Sequence, residues 1–223
     1  MFLTGLMMVL NEEEFLEENL DTHLPQVDAL LVAEGGTVFA EKAGMCGPKG
    51  ESTDKTRELL LSHEQDLFDL VLAEQLWSHK QEMWNCLLQK IPDPTTHVAL
   101  IDADEFWFGD SLRRATTFFA ESEGGTGKVK LRHWSGFYKN DPDRFLLHGY
   151  PWDGFFQKLY RWSPKQYFTT EVRSPLVMVD EHGRTLTPVI TIAKEDMIPD
   201  HYGFCRDKKR HAEKQRYYLH RGF

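Results

Sequence analysis

The sequence predicts an α/β fold in which a mostly parallel sheet is flanked by helices and followed by a half that is richer in strands. Apolar runs of strand length occupy residues 6–10, 29–33 and 98–101. Continuous runs of this kind are typical of strands buried on both faces of a parallel sheet. Segments with helical spacing separate them, and this alternation favours a parallel sheet with helices on both faces.

The first helix is predicted to follow the first strand directly. Asn11 is interpreted as its N-cap, and Glu14, three residues later, completes a capping box. The second strand ends in an acidic-glycine turn at residues 34–37. Residues 38–50 contain Gly, Lys and Pro without periodicity, so they are interpreted as a loop.

Residues 52–54 offer an N-cap for a second helix, and residues 70–72 are a short third strand. The helix predicted from about residue 74 to 90 has the clearest periodicity. The residues that recur on it at helical spacing are Trp77, Lys80, Met83, Trp84, Leu87, Leu88 and Ile91. The fourth strand, residues 98–101, leads directly into Asp102.

The second half is predicted to be rich in strands that turns, rather than long helices, separate. The tail at residues 206–221 is charged and predicted to be a helix with a solvated face. The predicted strands are residues 129–132, 144–147, 155–160, 176–179 and 189–192.

Length and charge restrict the classes of protein to consider. A chain of 223 residues buries roughly 70% of its unfolded surface, and no change in composition divides it, so residues 1–223 are interpreted as one domain. The 35 acidic and 26 basic residues give a net charge of −9. This balance argues against non-specific binding of nucleic acid, which needs a basic surface.

The three cysteines, Cys46, Cys86 and Cys205, are odd in number and widely spaced. A disulfide framework or a zinc site is therefore not expected. The protein is instead expected in a reducing, cytoplasmic location. The apolar N-terminal run lacks the basic start of a signal peptide, and no stretch approaches the roughly 20 apolar residues of a membrane helix.

Two carboxylates, Asp102 and Asp104, follow the fourth strand with one residue between them. Ligands of open α/β sheets bind beyond the carboxyl ends of the strands, which is where both side chains are expected. Two oxygen ligands on one side of an extended segment suit Mg²⁺ or Mn²⁺. The alternative is a solvated acidic turn, but the buried strand before the pair and the aromatic run at residues 106–108 favour a site.

Four segments in order along residues 5–108 resemble family 2 glycosyltransferases. They are Val9-Leu10-Asn11-Glu12-Glu13, Val27-Asp28-Ala29-Leu30-Leu31-Val32 with its acidic-glycine turn, Glu51-Ser52-Thr53-Asp54-Lys55-Thr56 and Ile101-Asp102-Ala103-Asp104-Glu105-Phe106. The order makes the resemblance more specific than any one segment. Two later segments, residues 158–162 and 201–203, look like a less studied branch of the same superfamily.

The resemblance implies a GT-A fold with a nucleotide-sugar-binding half at residues 1–108 and an acceptor half at residues 109–223. It implies transfer of a sugar from a nucleotide-diphosphate sugar to a hydroxyl group, with inversion and with Mn²⁺ or Mg²⁺ as cofactor. Asp104 would be the direct metal ligand, Asp102 would lie on the ribose or sugar side of the metal, and a late histidine, His201, is either the third ligand or a structural histidine. Leu10, Asn11 and Asp54 are the candidates that would line the nucleotide pocket.

Three departures from the family pattern concern the donor. Glu34 stands where the family has an Asp that contacts the base, and residues 37–50 separate two segments that are normally contiguous. Trp84 stands where an Arg is common, so Lys80 is the candidate for a phosphate contact. Arg161 and Lys158 are further candidates for the diphosphate, although charged residues on a strand more often belong to a solvated face.

An inverting transfer needs a base that deprotonates the acceptor. Glu171 is the preferred candidate and Asp153 is the other; either could instead be an ordinary surface carboxylate. Trp134, Trp152 and Tyr150 could stack on an acceptor sugar, although core packing is the commoner fate of such residues.

Two other classes of protein are weighed. A degenerate, non-catalytic module that holds a carbohydrate or nucleotide is disfavoured by the intact Asp102 and Asp104. A sugar nucleotidyltransferase is disfavoured because residues 6–11 contain no glycine-rich phosphate loop. The partners expected are the donor and a carbohydrate, lipid-linked or protein acceptor, with no nucleic acid and no membrane segment; a homodimer could complete the short acceptor half.

Overall fold

The computed structural model describes residues 1–135, 145–147, 154–169, 177–206 and 208–220. Its strands are β1 (Leu3–Val9), β2 (Ala29–Glu34), β3 (Asp69–Leu72), β4 (His97–Asp102), β5 (Glu105–Phe106), β6 (Thr126–Lys130), β7 (Arg132–Ser135), β8 (Phe145–Leu147), β9 (Phe155–Arg161), β10 (Tyr167–Thr169), β11 (Val177–Val179), β12 (Val189–Ile192) and β13 (Asp200–Phe204). Its α-helices are α1 (Leu16–His23), α2 (Val38–Lys42), α3 (Thr56–Ser62), α4 (Lys80–Leu88), α5 (Ser111–Glu121) and α6 (Lys208–His220).

A central sheet with the order β12-β6-β9-β4-β1-β2-β3 organises the chain. Strands β3, β2, β1 and β4 are parallel, whereas β9 runs antiparallel to both β4 and β6. The second half of the chain thus extends the sheet that the first half begins. Because Met8 pairs with Asp102 and Val9 with Glu34, the carboxyl ends of β1, β2 and β4 meet at one edge.

Helices cover both faces of this sheet. On one face, Leu20 of α1 and Phe119 of α5 pack against Met7 and Ile101. On the other face, Trp84 of α4 belongs to the core cluster that includes neighbouring sheet residues. Strands buried on both sides need apolar residues at successive positions, which explains the continuous apolar runs. The prediction of a mostly parallel α/β sheet flanked by helices is confirmed.

The predicted cap of the first helix is wrong. Asn11 has φ of 56°, in the left-handed region, and α1 begins only at Leu16. The Asn11 side chain instead donates to the Met45 carbonyl and accepts from the Thr53 amide. Contacts with a segment about 40 residues away, and not the local capping pattern, therefore determine the conformation of Asn11.

The boundaries of two other segments also differ from the predictions. Residues 38–50 are not loop throughout, because the Thr37 side chain caps the short helix α2. The helix predicted from residue 74 starts at Lys80. Before the helix, Trp77 instead exchanges backbone hydrogen bonds with Gly36 and Val38 of the neighbouring segment.

Several elements were not predicted. Helix α5 and strands β5, β7, β10 and β13 lie between or beside the predicted segments. Strands β5, β13, β7 and β8 form a second sheet beside the end of β4, and β10 pairs with β11. No helix in the described part of the chain is long and apolar enough to cross a membrane.

Candidate active site

A cavity of about 720 Å³ opens at the carboxyl ends of β1 and β4. We call it the central cavity. The ends of these strands, the turn after β4, strand β13 and helix α6 all contribute residues to its lining. Its volume lies in the range of small-molecule sites.

The turn after β4 carries the two predicted carboxylates into the central cavity. The Asp102 side chain is 48% exposed and that of Asp104 is 10% exposed. The Asn19 side chain of α1 holds this turn, because its amide donates to the carbonyls of Asp102, Ala103 and Glu105 at 3.3, 3.0 and 2.8 Å. Both carboxylates thus lie on a braced turn rather than on a solvated one.

Asp104 faces cationic groups. Arg206 Nη2 lies 2.8 Å from Asp104 Oδ2 and 2.6 Å from Glu12 Oε2, and Lys214 Nζ lies 3.9 Å from Asp104 Oδ2. Burial acts to raise the pKa of Asp104, but the His201 imidazole and the charges of Arg206 and Lys214 hold it well below its ordinary value. Burial raises the pKa of Glu12 to about 7, against the influence of Arg206.

Asp102 faces a different cation, the buried Lys158. Lys158 Nζ lies 2.7 Å from Asp102 Oδ2 and 2.6 Å from Glu105 Oε2. Trp107 Nε1 donates to the other Glu105 oxygen at 2.9 Å. Burial works against the charged ammonium, yet the two carboxylates hold the pKa of Lys158 above its ordinary value. Lys158 therefore lies beneath Asp102 and neutralises the acidic turn from inside the protein.

His201 of β13 completes the group around Asp104. Its Nε2 lies 3.4 Å from Asp104 Oδ1, and its Nδ1 lies 3.1 Å from Nδ1 of His133. Burial lowers the pKa of His201 to about 4, so the imidazole is neutral at pH 7. When His201 Nδ1 donates to His133, Nε2 keeps a lone pair that faces Asp104, and a neutral imidazole oriented in this way is the form that binds metals.

The donors around Asp104 fit a divalent cation in chemistry and in spacing. Carboxylate oxygen suits Mg²⁺ and Mn²⁺, and neighbouring ligands of such an ion lie about 3 Å apart, close to the separation of Asp104 Oδ1 from His201 Nε2. The described residues contain no group of three His, Cys, Asp or Glu side chains arranged to hold an ion. The protein would thus supply two close donors, with Asp102 beside them.

Basic side chains line the central cavity beside the acidic turn. Arg206, Arg210 and Lys214, in or just before α6, line it together with Lys80 of α4. Arg210 Nη2 lies 2.8 Å from Asp54 Oδ2, which anchors α6 to the segment before α3. A cavity that brings carboxylates and several cations together suits a metal bound to an anion such as a diphosphate.

Most of the predicted donor and metal residues come together in the central cavity. Six of them line it: Leu10, Asn11, Lys80, Asp102, Asp104 and His201. Asp54 does not line the cavity itself but forms an ion pair with Arg210, which does. Glu34 is fully buried, where it accepts from the Ser52 amide at 2.6 Å and from Arg57 at 2.6 Å.

Three other predicted residues lie elsewhere. Arg161 pairs with His97 at the opposite end of β4 and donates to the Ser122 carbonyl, so it is remote from the acidic turn. Lys158 contacts the two carboxylates described above instead of lining the cavity. Trp134 stacks on Tyr202 in a small core cluster.

Glu171, Asp153, Trp152 and Tyr150 lie outside the described residues. The sequence analysis missed Glu12, Arg206, Lys214 and His133, which the fold brings to Asp104 or His201. Arg206 had been assigned to a solvated charged tail, and the acidic run at residues 12–14 had been assigned to a helix start. The role of Arg206 could have been suspected from one signal, its position three residues after the segment 201–203 that resembles the superfamily.

Comparison with known proteins supports the fold. No family model matches the chain, and no curated protein matches it. The structure of TarS from S. aureus matches 91% of this chain with a TM-score of 0.57 and 16% identity, and the chain spans 37% of that protein. A TarS structure of residues 1–349 matches 100% of this chain, and 72% of its own length, with a TM-score of 0.57 and 14% identity.

The UDP complex of the same TarS fragment matches 88% of this chain and 62% of its own length, with a TM-score of 0.52 and 15% identity. TarS is a glycosyltransferase of the GT-A class. The likeness to TarS therefore shows that the present chain has a GT-A fold, with its acidic turn at the carboxyl edge of the sheet. At these identities the likeness establishes the fold alone.

Proposed function

We propose that the chain is a metal-dependent glycosyltransferase that moves a sugar from a nucleotide-diphosphate sugar to a hydroxyl acceptor. The observation that carries this proposal is the position of Asp102 and Asp104, which lie on a braced turn at the end of β4 and face the central cavity. A solvated acidic turn would have no need of the buried cations that hold both carboxylates.

The donor is proposed to lie with its diphosphate beside the acidic turn, among the basic side chains of the cavity. Lys80 and the basic residues of α6 supply positive charge there, and Leu10 and Asn11 line the cavity beside them. Cations placed around a departing diphosphate stabilise the charge that develops on it. The likeness to TarS, whose 1–349 fragment binds UDP, supports a uridine nucleotide.

The cofactor is proposed to be Mn²⁺ or Mg²⁺, held by Asp104 and His201 with Asp102 beside them. When bound, such an ion supplies Lewis-acid charge to the leaving diphosphate. Asn19 and Lys158 keep the two carboxylates of the turn in position, and His133 orients His201. The chain's own contribution is therefore a prearranged charge distribution at one edge of the sheet.

The acceptor side is proposed to lie within residues 109–223, apart from His201 and the basic residues around α6 that face the donor, with Glu171 or Asp153 as the base for inverting transfer. The acceptor is proposed to be a carbohydrate, a lipid-linked sugar or a protein, and the net charge of −9 argues against non-specific binding of nucleic acid. We also propose a cytoplasmic location and leave a homodimer as one way to complete the acceptor half.

Hydrolysis of UDP-glucose and GDP-mannose, with and without Mn²⁺, tests the proposal because water can replace an unknown acceptor. We expect metal-dependent release of the nucleotide diphosphate. Asp104→Asn should lower the rate by at least about a hundredfold, because the metal that would stabilise the charge developing on the diphosphate loses its carboxylate ligand. The exposed Asp66 provides the control, since Asp66→Asn should leave the rate unchanged.

The proposal would be overturned if the wild-type chain showed no Mn²⁺-dependent binding of any nucleotide. Binding without turnover of any donor would instead favour a non-catalytic module. The base is tested in a separate assay, once a donor is known. Glu171→Gln should abolish transfer while leaving donor binding intact, and Asp153→Asn is its matched comparison.

A further inference from the structure

We propose that Arg206 exchanges Asp104 for the donor diphosphate, and that this exchange makes metal binding and nucleotide binding cooperative. The inference rests on the proposed function and adds to it a residue and an order of events. In the chain without donor, Arg206 occupies one oxygen of the metal-binding carboxylate. When a diphosphate arrives, it takes the guanidinium and releases that oxygen.

The Arg206 side chain contacts two different carboxylates. Its Nη2 lies 2.9 and 2.6 Å from the two Glu12 oxygens and 2.8 Å from Asp104 Oδ2, and its guanidinium carbon lies 5.0 Å from the centre of the Phe15 ring. One nitrogen thus serves two carboxylates. A guanidinium binds phosphate in the same forked manner as it binds carboxylate, so either anion can take this group.

A second observation points to a missing acceptor. Arg206 Nε is buried, and among the residues that the structure describes it has no hydrogen-bond partner. Buried donors are almost always satisfied, so each exception calls for an explanation. Arg206 lines the central cavity, where a phosphate oxygen would supply the acceptor that Nε lacks. The guanidinium is therefore only partly used by Glu12 and Asp104.

Charge explains why the exchange couples the two ligands. A cation that approaches Asp104 in the absence of donor meets the positive charge of Arg206 at 2.8 Å and that of Lys214 at 3.9 Å from the same oxygen. A diphosphate attracts both groups and leaves Asp104 to the metal. Each ligand thus removes an obstacle to the other, and the gain in affinity must be equal in both directions.

The exchange does not require α6 to leave the protein. Arg210 pairs with Asp54 at 2.8 Å and Arg216 donates to the Ala43 carbonyl at 3.3 Å, so the helix has anchors that do not involve Asp104. Glu12 keeps a second hold on Arg206. A rotation of the Arg206 side chain is then enough to move its charge from the carboxylate to the diphosphate.

The test measures binding rather than activity. Free Mn²⁺ is followed by its electron paramagnetic resonance signal, and UDP is followed by calorimetry, each titrated with and without the other ligand. In the wild type we expect weak binding of Mn²⁺ alone and binding about tenfold or more tighter when UDP is present. Arg206→Met should bind Mn²⁺ alone more tightly, bind UDP alone more weakly, and lose most of the cooperativity.

Arg216→Met is the control, because Arg216 carries the same charge, lies in helix α6 that follows Arg206, and donates to the Ala43 carbonyl. It should leave both affinities and the cooperativity unchanged. Arg206→Met leaves the carboxylates of Glu12 and Asp104 without their shared guanidinium, and this variant could fail to fold. The double variant Arg206→Met/Glu12→Gln is therefore tested beside it. It removes one charge of each sign and should also bind Mn²⁺ alone more tightly than the wild type.

Two negative results have different meanings. If the wild type binds both ligands but neither Arg206 variant changes the affinity for Mn²⁺ alone or the cooperativity, the exchange is overturned and the proposed function stands. If the wild type binds neither UDP nor Mn²⁺, the proposed function is overturned and the exchange with it.

Discussion

Lys158 and Glu105 form a fully buried ion pair, with 2.6 Å between Nζ and Oε2, directly beneath the acidic turn. The same ammonium reaches Asp102 at 2.7 Å, so one cation joins a core carboxylate to a carboxylate of the cavity. A lysine on a strand is usually a solvated residue. Here it places positive charge under a turn that carries three acidic residues in four positions.

This pair should be costly to break. Lys158→Met leaves Glu105 as a buried carboxylate without its cation, and we expect the free energy of unfolding to fall by about 3–5 kcal/mol. Urea denaturation followed by circular dichroism measures the change. A loss below about 1 kcal/mol, the size typical of exposed ion pairs, would mean that water reaches Glu105.

Two further variants separate the buried charge from other effects. Lys90→Met breaks a partly exposed pair with Asp69, whose atoms are 3.1 Å apart, and should cost less than about 1 kcal/mol. Lys158→Met/Glu105→Gln removes both charges. It should be more stable than Lys158→Met alone, because no uncompensated carboxylate remains in the core.

The parallel half of the fold was predictable because its signals are local. Strands β1, β2 and β4 are buried on both faces, so the apolar runs at residues 6–10, 29–33 and 98–101 marked them directly. The position of Asp102 at a strand end followed from the last of these runs. Helix α5 was not predicted, although its sequence carries a local signal. Its buried residues Leu112, Ala115, Thr116 and Phe119 have helical spacing.

The electrostatic arrangement of the site was not predictable from local patterns. Arg206 lies 102 residues from Asp104 and 194 residues from Glu12 along the chain, and such ion pairs leave no periodic trace in the sequence. The same holds for His133 and His201, which meet only because β7 and β13 are neighbours. Asn11 shows the converse, a convincing local signal that distant contacts override.

The Asn19 side chain should be needed for donor binding without touching the donor. Asn19→Ala leaves the carbonyls of Asp102, Ala103 and Glu105 without their shared donor, which should cost about 1–3 kcal/mol of stability and loosen the turn that carries Asp104. We expect the affinity for UDP in the presence of Mn²⁺ to fall as well. Calorimetry measures the affinity and urea denaturation the stability.

Asn85→Ala is the matched control for Asn19. Asn85 accepts from the Phe168 amide at 2.7 Å and donates to its carbonyl at 3.1 Å, away from the central cavity. The variant should lose comparable stability and keep the wild-type affinity for UDP. An equal drop in affinity for both variants would show that general destabilisation, and not the acidic turn, controls binding.

The buried His23 should make the protein less stable in mild acid. Its Nδ1 lies 2.7 Å from the Asn19 carbonyl and so must donate, while Nε2 accepts from the Trp107 amide at 3.4 Å. Burial lowers the pKa of His23 from 6.5 to about 4. Between these values the unfolded chain binds a proton that the native chain does not, so stability falls as the pH is lowered from 6.5 towards 4.

The size of this effect is up to about 3 kcal/mol, from about 1.4 kcal/mol for each unit of pKa shift. Burial also lowers the pKa of His97 to about 4, which adds to the same trend. Urea denaturation of the wild type and of His23→Gln between pH 4 and pH 7 isolates the contribution of His23. The stability of the variant should depend less on pH, and identical slopes would contradict the prediction.

Glu34 should act on stability rather than on the choice of nucleotide base. The resemblance assigned it a contact with the base, but its carboxylate accepts from the Ser52 amide and from Arg57, each at 2.6 Å, and it is fully buried. Glu34→Gln should therefore lower the free energy of unfolding by about 1–3 kcal/mol, because a charge-assisted pair is lost. The ratio of UDP to GDP affinity, measured by calorimetry, should stay within about twofold of the wild type, since a change in the base contact itself would be worth more than that. A larger change in the ratio would mean that Glu34 leaves Arg57 for the base when a nucleotide binds, and the base contact that the family resemblance implies would then hold for this chain.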